Sequence, residues 1–230
     1  MTDNGFNIRV NQNVTSFLKK IDLFKENNFS PNLHYSKSVK DVARNGTHYD
    51  IINEIWKTFS YDIILNDDSI FQFHKDGEDL RYCFMQNPKV KISWHEYLYM
   101  NGMIEENLDP EVLEFCRSCY DNGDDESCYD DNKYPVYLRY DVSCCQYQEG
   151  IHPYSHLHVG LYNEIRFPIS MILTPEMFAQ LAVKMTYPVV WKEKVRQNDI
   201  QEFQKTVKKG CEEISNDKWS EIDKCDLFFK

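Results

Sequence analysis

No stretch of this 230-residue chain approaches the ~20 apolar residues that span a bilayer, and no N-terminal run has the charged-then-apolar form of a signal peptide. A membrane partner is therefore not expected, and a soluble, cytoplasmic protein is. A Gly-rich phosphate loop, a Walker motif, a nucleophile elbow and a kinase signature are all missing, which removes the chemistries those motifs carry. There is no internal repeat and no long low-complexity segment. The eight cysteines contain one CxxC, Cys116 and Cys119, with no second pair to complete a zinc site. Without a secretory signal they read as reduced thiols, a Cys/His zinc site being the lesser alternative.

Basic charge is in deficit, with 26 Lys+Arg against 37 Asp+Glu and a net charge of −11. The deficit is local. Over residues 105–131 eleven carboxylates meet one basic residue, Arg117, giving −10 and leaving about −1 for all the rest. A basic groove for nucleic acid is still open, and residues 184–209, with seven Lys/Arg and three Asp/Glu, are the best candidate for it.

What is present is enough apolar surface to fold. The chain carries 14 Phe, 15 Tyr and 4 Trp, and its length suits one domain over residues 1–230. Residues 14–26 place Val14, Phe17, Leu18, Ile21 and Phe24 at helical spacing, and residues 48–59 do the same with Ile52, Ile55, Trp56 and Phe59. The period then changes. Residues 69–74 and 80–86, rich in β-branched and aromatic side chains, flank a turn at 75–79 and predict a hairpin. Helices follow over 93–101 and 109–120, the second with Asp109 as N-cap and Pro110 at its first position. Residues 121–133 have no hydrophobic period and read as an exposed acidic loop without the ordered spacing of an EF-hand.

Strands resume over 135–143 and 155–169, with a turn near 162–164. Thr174-Pro175-Glu176 opens a helix to at least Met185, striped by Phe178, Leu181, Ala182 and Met185, which Pro188 ends or kinks. A last helix over 199–214 carries Ile200, Phe203, Val207, Cys211 and Ile214, and Leu227-Phe228-Phe229 read as a terminal edge strand. Helices on both sides of the strands, without regular βα alternation, predict an α+β fold with a largely antiparallel sheet.

The chemistry concentrates at His152-Pro153-Tyr154-Ser155-His156-Leu157-His158, three of the chain's seven histidines. Alternation sends His156 and His158 to one face and Leu157 and Val159 to the other. Along 135–143 the same logic aligns Arg139 and Asp141 opposite Leu138, Tyr140 and Val142. If the two strands are neighbours, Arg139, Asp141, His156 and His158 share a polar face, with His152 at its entrance and Arg166 reaching it from the returning chain. These types admit three readings. The row can be purely structural, hydrogen-bonded across the sheet. It can perform acid/base catalysis without any cofactor, His156 and His152 sharing the proton work, Arg139 and Arg166 clamping a phosphate and Asp141 orienting a histidine. Or His156, His158 and Asp141 can hold a divalent metal.

The ordered run Tyr137-Leu138-Arg139-Tyr140-Asp141, His152-Pro153-Tyr154-Ser155-His156-Leu157, Gly160-Leu161-Tyr162-Asn163, Arg166-Phe167-Pro168-Ile169-Ser170 and Leu173-Thr174-Pro175 resembles the bacterial domain-of-unknown-function 2290 family over about residues 135–190. The resemblance carries over Arg139, Asp141, His152, Pro153, His156, Gly160, Tyr162, Arg166 and Pro168. It implies a small bacterial cytoplasmic protein of mobile or defence-associated loci and brings no settled activity with it. At His158 the family often has Thr, which lowers the metal reading and favours His152, His156, Arg139 and Arg166. The acidic loop and the CxxC lie outside the matched run.

Two functional expectations follow. The first is an intracellular phosphodiester hydrolase, a nuclease-like effector acting on RNA or another nucleotide. The second is a non-catalytic accessory subunit of a bacterial multi-protein system that binds a protein partner through its aromatic or acidic surface.

Overall fold

Alternating apolar and polar residues along the central strands sort this fold into a dry face and a mixed one. The computed structural model describes residues 3–28, 36–123, 125–162, 165–195 and 198–225. Its elements begin with α1 (Asp3–Ile8), a π-helical stretch (Arg9–Val14), α2 (Thr15–Lys20), β1 (Phe24–Asn27), α3 (Lys37–Asn45) and α4 (His48–Lys57). Then come β2 (Ile63–Leu65), β3 (Ile70–Asp76), β4 (Asp79–Met85), β5 (Lys89–Lys91), α5 (Trp94–Met100), α6 (Pro110–Asn122) and β6 (Tyr129–Asp131). The last are β7 (Tyr137–Val142), β8 (Ser155–Val159), β9 (Phe167–Pro168), β10 (Met171–Ile172), α7 (Pro175–Thr186), α8 (Pro188–Val195), α9 (Asn198–Lys209) and β11 (Glu212–Glu213).

The fold is α+β. Seven strands form one sheet in the order β1-β2-β3-β4-β7-β8-β9, every neighbouring pair antiparallel. The expected hairpin is β3–β4, closed through Gly77 and Glu78, with Gly77 at φ 59 supplying the left-handed residue that a tight two-residue turn needs first. One sheet face buries Phe71, Phe73, Tyr82, Phe84, Leu138, Tyr140 and Leu157 against the N-terminal helices and α7. Phe178 stands at the middle of this layer, fully buried. The opposite face buries Ile64, Ile70 and Met85 under Val39, Ile51, Ile52 and Ile55 of α3 and α4. No helix among the described residues is long and apolar enough to cross a membrane.

The chain divides into two compact units, residues 1–86 with 136–230, and residues 87–135, and the segment 121–133, expected as a loop, lies in the second. The acidic segment is built into the second unit. It continues α6 to Asn122 and forms β6, which pairs with β5 and places Asp131 2.6 Å from Lys89 Nζ. The fully buried Cys128 joins Tyr97, Leu98 and Cys116 in this unit's own small core. Three-residue strands with a single apolar side chain leave no readable period. All eight cysteines are free thiols.

The two helices with an expected cap before a proline, α6 and α7, start as those caps predict, at Asp109 and at Thr174. Pro188 falls at the first residue of α8, so α7 ends at Thr186. The buried stripe of α7 is Phe178, Ala179, Ala182 and Val183, while Met185 is exposed. The final helix stops at Lys209 rather than continuing to 214, because tight bonds from Gly210 N to Val207 O and from Cys211 N to Lys208 O turn the chain into β11 beside β10. Parts of the turn at 162–164, the side chains of Ile200 and Phe203, and Leu227-Phe228-Phe229 lie outside the described residues.

Half-buried Asp62, just before β2, accepts the Phe73 amide at 2.6 Å, and burial outweighs that bond to push its carboxyl up to about 7. At about pH 2 the group is neutral in folded and unfolded chains alike. As pH rises from there to 7 the unfolded chain releases a proton that the folded chain keeps, so stability falls and then levels off. Asp62→Asn is expected to come closest to the wild type at about pH 2–3 and to exceed it at about pH 8 by about 1–2 kcal/mol, read from denaturant midpoints.

Candidate functional site

On the mixed face, Arg81 and Cys83 of β4, Tyr137, Arg139 and Asp141 of β7, and His156 and His158 of β8 follow one another across three adjacent strands. The register is set by the pairs Arg81↔Asp141, Cys83↔Arg139, Arg139↔His158 and Asp141↔His156. The strand adjacency expected from the sequence therefore holds, and β4 adds Arg81, which sequence reasoning missed. Alternation within the recognised hairpin exposes Arg81, but its pairing with β7 spans the whole of residues 87–135.

Asp141 is the hub. Its Oδ1 accepts Arg81 Nε at 2.9 Å and its Oδ2 accepts Arg139 Nε at 2.8 Å, while the residue itself is buried. Burial opposes the charge, yet Arg139 and Arg81 together outweigh it and hold the carboxyl below its ordinary value. Arg139 reaches further and donates from Nη2 to His158 Nε2 at 2.9 Å. Because a guanidinium can only donate, His158 Nε2 carries a lone pair. His156 Nδ1 lies 2.9 Å from the Pro153 carbonyl, which can only accept, so His156 also keeps its lone pair on Nε2. Those two nitrogens lie 3.5 and 3.8 Å from Asp141 Oδ2. Burial, more than any neighbour, brings the His156 imidazole down to about 4, so it is neutral at pH 7.

The other expected members sit at the margin. The His152 ring meets that of His156 edge to face at 4.9 Å, and its buried Nδ1 has no hydrogen-bond partner. Burial first, and then the charge of Arg166, lower its imidazole. Arg166 itself is exposed, one residue before β9, and is not among the side chains lining the pocket described next.

Beside the cluster, α3 and α4 leave a pocket of about 180 Å³ over the sheet. Its polar lining is Lys40, Gln72, Arg81, Cys83, Tyr137 and Arg139, and its apolar walls include Val39, Ala43, Ile51, Ile55, Met85 and Leu161. Among the described residues three cations and no carboxylate line it, so the pocket suits an anion. Lys40 belongs to α3, whose only buried side chain is Val39, too sparse a stripe to be read in advance. Burial pushes the Cys83 thiol up to about 12, which rules it out as a nucleophile at neutral pH. The described residues of the basic stretch 184–209 run from α7 to α9, and α7 covers the opposite face of the sheet.

A family model described as "Uncharacterized conserved protein (DUF2290)" matches residues 13–221. The chain belongs to the DUF2290 family. No curated protein matches it, and no solved structure does. The DUF2290 match extends well beyond residues 135–190 and takes in Lys40 and Arg81 as well as the motif-bearing strands. In this DUF2290 chain Asp141, His156 and His158 each place one donor atom within 4.8 Å of the others, the metal-ligating group found among the described residues. No cysteine joins it.

Proposed function

We propose that the chain binds a phosphodiester, in RNA or in a nucleotide, in the pocket over β4 and β7 and hydrolyses it with the adjoining cluster. The observation that carries this reading is the division of Asp141 between two arginines. One carboxylate holds two guanidinium groups side by side on a pocket wall that also has Lys40. Paired planar forks match phosphate oxygens, and they stabilise the charge that develops on those oxygens as the bond to phosphorus breaks. When Arg139 turns onto the phosphate it leaves His158 Nε2, and the freed lone pair of His158, with that of His156 beside it, faces the attacking hydroxyl or water. Free thiols throughout suit the reducing cytoplasm in which such an enzyme would act.

Cleavage of mixed RNA, single-stranded DNA and duplex DNA tests this, with the wild type beside His156→Ala, Arg139→Ala and Arg81→Ala, each with and without EDTA. The expected result is cleavage by the wild type and loss in His156→Ala. Each arginine variant should weaken substrate binding by about tenfold or more, since a charge-assisted bond contributes about 1.5–3 kcal/mol. A wild type that cuts nothing refutes the hydrolase.

A second reading, an accessory subunit that binds without cleaving, draws on one specific observation. The His156 and His158 side chains are only 1% and 6% exposed, so the cluster is closed as it stands. On that reading the unit at residues 87–135, with Tyr99 and Phe115 80% and 70% exposed among its carboxylates, is the surface that meets a protein partner.

A further inference from the structure

A cation of the protein's own sits on two members of the histidine cluster. Arg139 Nε touches Asp141 Oδ2 and Arg139 Nη2 touches His158 Nε2, so one guanidinium bridges two of the three converging donors. We propose that Asp141, His156 and His158 form a binding site for a divalent transition-metal ion, and that Arg139 holds the place of that ion until it enters. The inference stands beside the hydrolase reading without resting on it.

Four features support it. First, the spacing fits. Bonds of about 2.0–2.2 Å around a tetrahedral ion separate its ligand atoms by about 3.4 Å; Asp141 Oδ2 stands 3.5 and 3.8 Å from the two Nε2 atoms, and the three residues' donor atoms all lie within 4.8 Å of one another, so a small inward shift closes the set. Second, the protons are already in the right place. Each imidazole keeps a lone pair on Nε2, the tautomer of His156 being fixed by the Pro153 carbonyl on its far side, as metal-bound histidines commonly are. Third, the donors are rigid. All three side chains spring from the paired strands β7 and β8, and Arg81 pins Asp141 Oδ1 so that Oδ2 faces the histidines. Fourth, the set is chemically coherent, two imidazoles and a carboxylate suiting Zn²⁺, Co²⁺ or Fe²⁺ better than Mg²⁺ or Ca²⁺.

The arginine makes the site conditional. A divalent ion and a guanidinium cannot share Asp141 Oδ2 and His158 Nε2, so loading turns Arg139 out. Its side chain is 34% exposed and already lines the anion pocket, which gives it somewhere to go. Metal and anion therefore assist one another, since each favours Arg139 in the pocket and away from the cluster.

Cobalt(II) titration of the whole chain, followed by visible absorption, tests this and separates it from adventitious binding by the eight thiols. Bound by nitrogen and oxygen ligands, the ion gives its d–d bands without the near-ultraviolet charge-transfer band of a thiolate. The expected result is one equivalent with that signature, lost in His156→Ala and in His158→Ala. Arg139→Gln supplies a gain, because removing the resident cation should tighten cobalt binding by about tenfold or more, which an unfolded variant cannot mimic. Inorganic phosphate should tighten binding in the wild type and not in Arg139→Gln. A thiolate spectrum, histidine variants that titrate like the wild type, or an Arg139→Gln affinity that is unchanged or weaker each overturn the proposal. Cobalt bound as described with no nuclease activity would remove the hydrolase reading and leave the metal site standing, and the converse result would remove only the metal site.

Discussion

Asp141→Ala is expected to lower the stability of the folded chain by about 2–3 kcal/mol at pH 7, measured by denaturant unfolding in EDTA. Two guanidinium groups then lose their shared counter-charge, and the two histidines lose the carboxylate they converge on. Breaking a fully buried pair costs about 3–5 kcal/mol, and the lower figure here follows from the partial exposure of both arginines, which can turn to water. The pH dependence has a definite sign. The Asp141 carboxyl is held below its ordinary value, so its stabilisation is complete above the ordinary carboxylate range and is lost as pH falls through the folded value. The wild type and Asp141→Asn should therefore differ at pH 7 and converge in acid. A difference that persisted undiminished in acid would show that shape, and not charge, makes Asp141 matter.

Phe178→Ala should cost more, about 3–5 kcal/mol, lowering the melting temperature by about 10 °C. Its ring is fully buried and lies 5.7 Å from Tyr82, 6.2 Å from Phe73, 6.3 Å from Phe71 and 6.5 Å from Tyr140, so alanine leaves a cavity bounded by rigid aromatic neighbours that cannot close over it. The same layer sits on the sheet face opposite the cluster. Cobalt binding at a temperature where the variant is still folded should be unaltered, and a shift there would show that the two faces are coupled through the strands.

The candidate site was legible where strand alternation carries the information. Arg139, Asp141, His156 and His158 could be assigned to one face because each strand also shows an unbroken apolar face, Leu138-Tyr140-Val142 on one and Leu157-Val159 on the other. Arg81 was not legible, because nothing in the residues says which strand lies beside β7 on its other side when a folded unit intervenes. Nor was the bridging position of Arg139, since a rotamer is chosen by the neighbours it meets. The fold shows the same division. Helices with a strong cap or a long stripe, α6 and α7, could be placed to within a few residues, whereas β5, β6 and α3 are too short or too polar for any period to emerge. The end of α9 was missed because Val207, Cys211 and Ile214 keep helical spacing across a turn that local hydrogen bonds, and not hydropathy, decide.

The excursion between β4 and β7 bears on how quickly the sheet can assemble. Gln86 and Val136 face each other at the open end of that pair, the Gln86 amide donating to Val136 O at 2.9 Å. Within the excursion, Asn132 N donates to Pro88 O at 2.7 Å, so the inserted unit brings its own two ends together. If it folds first, on contacts that are local within it, a long flexible loop becomes a short stiff one before β7 has to find β4. The central pairing of the sheet, the one that joins Arg81 to Asp141, would then be reached at nearly the rate of a simple hairpin, and mutations that unfold residues 87–135 would slow refolding more than they speed unfolding.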